Sequence, residues 1–223
     1  MRRRTRICRR PPWGQYNGIC NSTASPQVPR MAFDRDYYQR FYFNPRTAVT
    51  SRAEMRARAR LIAACTEYVG LPVRRILDAG CGVGLLRAPL RRALRKAEYV
   101  GLEVSEYLCQ RYGWQQGSIA TLRTRQRFDL VICYDVLQYL SPPEARRAIV
   151  NLSRVCLGAL YFGALTVEDW RNNCDQSRTD QIAGLRPGAW YRRELARAFR
   201  PLGCGMWLKR NLGISLWDLD VAA

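Results

Sequence analysis

The chain has 223 residues, and 48% of them are hydrophobic, which suits one globular domain with a substantial core. It holds 37 basic and 18 acidic residues, a net charge of +19, and all but two of the basic residues are arginines. The absence of histidine excludes histidine-dependent triads and the common zinc sites, and no apolar run has the length of a membrane-spanning helix.

The composition also bears on partners and compartment. The arginine excess fits either phosphate and carboxylate recognition or a coding bias toward arginine, and the spread of arginines over every predicted helix favours the coding bias. A basic surface keeps nucleic acid among the candidate partners. The nine cysteines form no C-x-x-C pair, and the chain shows no secretory signal. These observations predict reduced thiols in a cytoplasmic protein, and they leave the oligomeric state open.

Residues 1–30 form the first predicted segment. They carry seven arginines and no acid, and they show no hydrophobic period, which predicts a disordered basic extension. We expect Met31 to be the natural start of the protein, with the extension as an upstream in-frame translation. Residues 31–72 form an aromatic segment followed by a helix, and the aromatic side chains either make a lid or pack as core. These side chains are Phe33, Tyr37, Tyr38, Phe41, Tyr42 and Phe43.

The helix of this second segment begins with a predicted capping box, in which Ser51 is the cap and Glu54 reaches back. Gly70 and Pro72 end it. One face carries an apolar stripe at helical spacing: Met55, Ala59, Ile62, Cys65 and Val69.

From residue 73 onward the pattern alternates between strand and helix. Strands are predicted at 74–80, 98–104, 117–122, 128–137 and 158–167. Helices are predicted at 85–97, from Ser105, at 141–156 and at 189–203, and the third has Ser141 and Glu144 as a capping box. A polar loop is predicted from Glu168 to Pro187.

The end of the chain departs from this alternation. Residues 204–210 and 214–221 read as two strands joined by "NLG", and so short a link requires antiparallel pairing. We therefore predict an α/β fold over residues 73–223. Its sheet is doubly wound, mostly parallel, seven-stranded and Rossmann-like, and it ends in an antiparallel hairpin.

The stretch "ILDAGCGVGLL", residues 76–86, carries the strongest functional signal. Gly80, Gly82 and Gly84 lack the G-x-G-x-x-G spacing of dinucleotide sites, and Asp78 before them would repel phosphates. Glu103 ends the next strand, where a ribose-binding carboxylate is expected. The glycines could simply make a tight turn. The two acids instead favour a nucleoside with cationic groups in place of phosphates, and S-adenosylmethionine fits that description.

With these motifs the chain resembles the class I S-adenosylmethionine-dependent methyltransferases. The resemblance covers most of residues 33–223 and rests on "ILDAGCGVG", "YVGLEVS", "FDLVICYDVLQYL" and the closing hairpin. It implies the fold predicted above, S-adenosylmethionine as cofactor and a methyl-transfer activity.

The resemblance also implies roles for single residues. Asp78, Gly80 and Gly82 would line the methionine part of the cofactor. Cys81 and Gly84 of the same loop would also contact the cofactor. Glu103 would hold the ribose hydroxyls through both carboxylate oxygens. Ser118 stands where many members have an acid for the adenine amine, a contact that the backbone of Ile119 could make instead. Tyr134 would face the cofactor, and Asp135 either acts there or bonds the backbone of its turn.

Many relatives have histidine where this chain has Tyr139. Methyl transfer from a sulfonium chiefly requires alignment and exclusion of water, so a strong base is optional. Where a base is needed, the candidates are Tyr139 and the acids of the polar loop, which either contacts substrate or is solvated surface. These acids are Glu168, Asp169, Asp175 and Asp180, and we single out Asp169 and Asp175.

Three hypotheses about the methyl acceptor follow. The first is oxygen or nitrogen of a small molecule, favoured because "CYDVLQYL" lacks the motif of base-amine methyltransferases. The second is RNA, supported by charge alone. The third is a cofactor-binding protein without transfer activity.

Overall fold

The computed structural model describes residues 33–180 and 184–220. The predicted extension at residues 1–30 lies outside the described residues. In the described part of the chain, the helices are α1 Arg35–Tyr38, α2 Arg52–Tyr68, α3 Arg87–Ala93, α4 Glu106–Tyr112, α5 Pro142–Val155, α6 Val167–Asn172 and α7 Gly188–Leu195. The strands are β1 Arg75–Ala79, β2 Glu98–Glu103, β3 Gln115–Gln116, β4 Phe128–Tyr134, β5 Cys156–Gly163, β6 Phe199–Gly203 and β7 Met206–Lys209. A π-helical turn, Gln39–Phe43, follows α1 directly.

The described strands form one seven-stranded sheet in the order β3-β2-β1-β4-β5-β7-β6. The first five strands in this order pair in parallel, while β7 pairs antiparallel with both β5 and β6. The predicted fold class is therefore confirmed. The chain runs outward from β1 to β3 and then returns to the other side of β1 as β4. The carboxyl ends of β1 and β4 thus flank the crevice where such sheets bind ligands.

Helices cover both faces of the sheet because alternate strand residues are apolar on each side. On one face, Met55 and Ile62 of α2 pack with Ile76 of β1 and Leu130 of β4. On the other face, the apolar stripe of α5 packs with Leu77 and Val131. The helix that precedes β1 thus shares the core of the sheet. No helix in the described ranges combines the length and apolar character needed to cross a membrane.

Local signals explain where several helices begin. The Ser51 hydroxyl accepts a bond from the Glu54 amide at 3.1 Å, so α2 starts at its predicted cap. The Glu54 carboxylate, however, bonds Thr50 and Arg58 instead of reaching back. Both halves of the capping box are present at the start of α5, with Ser141 as cap.

The predicted third strand was wrong. The strand consists of Gln115–Gln116, and residues 118–121 form a turn in which the Thr121 amide donates to the Ser118 carbonyl at 3.1 Å. The polar loop was also wrong in part, because α6 occupies its beginning. The Thr166 hydroxyl caps α6 by accepting a bond from the Asp169 amide at 3.1 Å, a signal that the sequence carried in "TVED".

Of the two strands predicted for the closing hairpin, the one at 204–210 is present as β7, whereas the one at 214–221 was wrong. The helix predicted at 189–203 ends at Leu195, and its last part is the strand β6. β6 pairs with β7 across a turn at Cys204 and Gly205, and residues 214–220 form no strand. Pro201 suggested a helix end, yet β6 lies at the edge of the sheet, where a strand tolerates a residue without an amide donor.

Candidate active site

The carboxyl edge of β1, β2 and β4 opens into two adjoining cavities. The Glu103 cavity encloses about 630 Å³ and is lined by Glu103, Gly117, Ser118 and Ile119, among others. The Asp78 cavity encloses about 970 Å³ and is lined by Asp78, Tyr134 and Asp180, among others. Both cavities are bordered by Tyr37, Tyr42, Gly80, Gly82, Asp135 and Tyr139. The site is therefore one divided cleft.

The glycine loop after β1 forms the floor of this cleft. Gly80 has φ +82°, and a Cβ there would lie 2.2 Å from Cγ2 of Val136. Gly82 has φ +52°, and a Cβ there would point into open space. The indole of Trp114 supports the loop from below, since its Nε1 donates to the Gly82 carbonyl at 2.9 Å. The loop thus leaves room for a ligand directly above Gly82.

Glu103 lies at the end of β2 and is only 4% exposed. Its Oε1 accepts bonds from the amides of Val104 at 2.8 Å and Ser105 at 3.0 Å. Its Oε2 accepts a bond from the amide of Gly82 at 2.8 Å. Because a carboxylate oxygen accepts about two bonds, Oε2 retains one acceptor position that can reach a ligand in the Glu103 cavity.

Asp78 lies at the end of β1 and is 4% exposed. Burial raises the pKa of Asp78, the hydrogen bond from the Tyr99 hydroxyl lowers it and the nearby Glu103 raises it, and together they bring this pKa to about 7. Asp78 therefore titrates near neutral pH and would ionise readily beside a cation.

Tyr134 is the last residue of β4, and Asp135 follows it. Arg58 lies on α2, and its guanidinium carbon is 4.0 Å from the ring centroid of Tyr134. Asp135 has φ +57° and borders both cavities, where it remains accessible to solvent. Partial removal from bulk water raises the pKa of Asp135. Arg58 and Gln138 lower this pKa and Asp180 raises it, which gives a value of about 6.

The most connected cluster of the site joins three separate segments. Asp180, 7% exposed, accepts bonds from the hydroxyls of Tyr37 at 2.8 Å and Tyr139 at 2.9 Å. Phe33 packs edge-on against both tyrosine rings at 5.1 and 5.2 Å. Burial raises the pKa of both tyrosines, so they remain protonated donors. The aromatic segment is thereby tied across the cleft.

Other predicted site residues take up different positions. Ser118 and Ile119 border the Glu103 cavity, and Cys81 borders the Asp78 cavity, where burial raises the pKa of its thiol. Asp169 and Asp175 border a neighbouring side cavity. Their carboxylates make local bonds, to Thr166 and Asn173 in one case and to Ser177 in the other.

The geometry of this cleft agrees with what comparison of the chain with known proteins finds. The sequence family described as "Methyltransferase domain" matches residues 77–157, which contain the glycine loop, Glu103 and the end of β4. Residues 77–157 of the chain therefore match a methyltransferase domain, and they hold the floor and the main carboxylates of the cleft. This match confirms the resemblance to methyltransferases seen in the sequence. None of the curated proteins compared matches the chain in sequence.

Solved structures of methyltransferases share the fold at low sequence identity. Magnesium protoporphyrin IX methyltransferase from Synechocystis PCC 6803, with bound SAH, is 23% identical over 78% of this chain and 93% of its own, with a TM-score of 0.53. DesVI from Streptomyces venezuelae is 16% identical over 78% and 96%, with a TM-score of 0.56. CalS10 from Micromonospora echinaspora, an amino pentose methyltransferase, is 16% identical over 69% and 90%, with a TM-score of 0.53.

Several residues of the methyltransferase cleft were not singled out from the sequence. Tyr37 and Tyr42 carried a signal, since the aromatic segment was recognised as a lid or core. Trp114 and Tyr99 carried none, because their contacts with Gly82 and Asp78 join residues that lie 32 and 21 positions apart. Asp180 stood among other acids of the polar loop, and only the fold distinguishes it from them.

Proposed function

We propose that the protein transfers the methyl group of S-adenosylmethionine to oxygen or nitrogen of a small molecule bound in the Asp78 cavity. The observation that carries this proposal is the divided cleft. One half is a space beside the buried Glu103 carboxylate, and the other half is a partly open space lined by tyrosines and acids.

The described residues fit the cofactor. The free acceptor position on Oε2 of Glu103 suits a ribose hydroxyl, and the open space above Gly82 suits the chain that links ribose to methionine. Asp78 borders the cavity on the methionine side, where its carboxylate suits an ammonium group. Ser118 and Ile119 border the end where the adenine ring would lie.

S-adenosylmethionine supplies a methyl group that is already activated on a sulfonium. The protein then has to align the acceptor and exclude water. Tyr37 and Tyr139 close the cleft from two sides through their bonds to Asp180. Tyr42 and Tyr134 add aromatic walls to the Asp78 cavity. The aromatic segment thus acts as the lid.

A small acceptor is favoured over RNA. The cavities are bordered by acids and tyrosines, and no arginine or lysine is among the described residues that line them. A polyanion would meet repulsion there, however basic the outer surface is. Two of the proteins with a similar fold are methyltransferases of small molecules, magnesium protoporphyrin IX and an amino pentose.

Cofactor binding is tested by titrating S-adenosylhomocysteine into the wild type and two variants of β2. Glu103→Gln should weaken binding about 10- to 100-fold, because a bond to a charged acceptor contributes about 1.5–3 kcal/mol. Glu98→Gln changes the exposed end of the same strand and should bind like the wild type. Equal affinities for all three proteins in calorimetry would contradict the proposed role of Glu103.

The acceptor class is tested by incubating the protein with methyl-labelled S-adenosylmethionine and a native cell extract. Label should appear in the metabolite fraction and be lost with Glu103→Gln. Label in RNA would reject the small-molecule proposal. No label in any fraction, despite tight binding of S-adenosylhomocysteine, would indicate a protein without transfer activity.

A further inference from the structure

We propose that the methyl acceptor is an amine, which enters the Asp78 cavity as an ammonium ion and is held there by Asp135 and Asp180. This inference rests on the proposed function and names the substrate class of the same site.

The charged side chains that border the Asp78 cavity are all acidic. The acids that border it are Glu54, Asp78, Asp135 and Asp180, and the described lining residues include no arginine or lysine. Glu54 is paired with Arg58 at 3.1 Å, and Asp78 lies on the cofactor side. Two carboxylates therefore face the acceptor space without a cation in that space. A chain with a net charge of +19 leaves this cavity acidic.

The surroundings of Asp180 strengthen the argument. Its carboxylate is 7% exposed, and its described partners are two neutral hydroxyls, those of Tyr37 and Tyr139. A buried carboxylate is costly unless a cation or several donors compensate it. Burial is the main cause of the raised pKa of the Tyr42 hydroxyl, and the carboxylates of Asp135 and Asp180 raise this pKa further. Tyrosine faces beside carboxylates favour a bound ammonium through cation–π attraction.

Hydrogen-bonding groups beside the Asp78 cavity also favour an ammonium ligand. Gln138 borders the cavity and is 2% exposed, and its amide lies within bonding reach of the Asp135 carboxylate. Because the amide nitrogen serves that carboxylate, its Oε1 is an acceptor, and this atom is buried without a partner among the described residues. The charged groups that line the cavity are all carboxylates, and the described lining residues supply no charged donor. An ammonium group supplies three N–H donors, whereas an alcohol supplies one.

Two arginines lie close to the Asp78 cavity, but neither borders it. Arg58 lies behind the Tyr134 ring and lowers the pKa of Asp135, but it does not border the cavity. Arg178 borders the side cavity and donates to the Ala48 carbonyl at 2.6 Å. Neither arginine occupies the acceptor space.

In the proposed methyl transfer, the Asp135 carboxylate accepts the proton that the ammonium group must lose. The bound ammonium gives one proton to the Asp135 carboxylate and becomes a neutral amine. The nitrogen lone pair then forms the bond to the methyl carbon as the sulfur–carbon bond breaks, and that electron pair stays on sulfur as a thioether. The methylated nitrogen carries the positive charge, and the proton on Asp135 leaves to solvent through the open side of the cleft.

Binding to the complex with S-adenosylhomocysteine tests the inference without turnover. Calorimetry at pH 7.5 would compare two matched sets: hexylamine, hexan-1-ol and hexanoate, and 2-phenylethylamine, 2-phenylethanol and phenylacetate. At least one amine should bind ten times more tightly than its alcohol, and the carboxylates should give no heat. The inference is overturned if neither amine exceeds its alcohol. If S-adenosylhomocysteine itself does not bind, the proposed function fails first.

Asp135→Asn provides the matched variant, because asparagine tolerates the left-handed backbone at this position. The preference for amine over alcohol should fall at least fivefold, while S-adenosylhomocysteine still binds. Asp36→Asn, on the exposed side of α1, should keep the full preference. An unchanged preference in Asp135→Asn would reject the role of Asp135 in holding the amine.

Discussion

Gly80 and Gly82 share a left-handed backbone, but a side chain at each would meet different surroundings. At Gly80 it would collide with Val136, whereas at Gly82 it would extend into the cleft. The first glycine therefore serves the packing of the loop against the turn after β4. The second keeps the cleft open for its ligand.

Alanine at the two positions should separate these roles. Gly80→Ala should lower the free energy of unfolding by about 3 kcal/mol, from backbone strain and overpacking together. Gly82→Ala should cost about 1 kcal/mol of stability from strain alone, yet weaken S-adenosylhomocysteine binding at least tenfold. Urea unfolding and calorimetry measure the two effects. Equal losses of stability would show that the Val136 contact is unimportant.

Single residues differ in how far the sequence could predict them. Asp78, Glu103 and the glycines form local motifs whose spacing alone indicates a nucleoside ligand. Asp180 acquires its role from two tyrosines that lie 143 and 41 positions earlier in the chain. Contacts at such separations have no local pattern, so the sequence left Asp180 among equivalent acids.

At the scale of elements, the two sides of the aromatic segment meet different surroundings. Tyr38 packs with Leu108 and Trp114 in a small cluster beside the glycine loop. Tyr37 instead faces the cleft and reaches Asp180. The core alternative is seen in the packing of Tyr38. We propose the lid alternative for the side of the helix that carries Tyr37.

We expect the Tyr37 hydroxyl, through its bond to Asp180, to hold the proposed lid closed. Tyr37→Phe keeps the ring contacts but removes the bond to Asp180, so hydrogen exchange of the α1 amides should accelerate about tenfold, equivalent to about 1.4 kcal/mol. Tyr42→Phe is the matched control, because the Tyr42 hydroxyl bonds no described residue, and it should leave exchange unchanged. Equal exchange in Tyr37→Phe and wild type would mean that ring packing alone holds the lid.

The elements that the sequence misplaced are those whose context overrides local preference. Helix-favouring residues continue past Leu195 to Arg200, but Phe199 pairs with Lys209 in the antiparallel edge of the sheet. The predicted third strand failed because two paired residues are too few to leave a pattern. The buried strands β1, β4 and β5 were predicted within a few residues, since apolar runs mark them clearly.

For the whole molecule, stability should depend on pH through a group of the active site. The pKa of Asp78 rises from near 3.8 to about 7 on folding, mainly through burial. Between these values the folded state holds a proton that the unfolded state has released. The contribution of Asp78 is therefore complete below about pH 4 and is lost as the pH rises to about 7.

Asp78→Asn should remove this dependence. Relative to the wild type, the variant should gain stability at pH 8 and show little gain at pH 4 in urea unfolding. Asp36→Asn should show no such change between the two pH values. A constant difference between Asp78→Asn and wild type across this range would contradict the raised pKa of Asp78.

Trp114 gives the glycine loop a built-in optical reporter. Its indole is 9% exposed, lies against the loop and donates to the backbone of Gly82. Any ligand that shifts this carbonyl alters the polarity around the ring, and hence the wavelength of its emission. Occupancy of the cleft should thus be readable from intrinsic fluorescence, with no label attached to the protein.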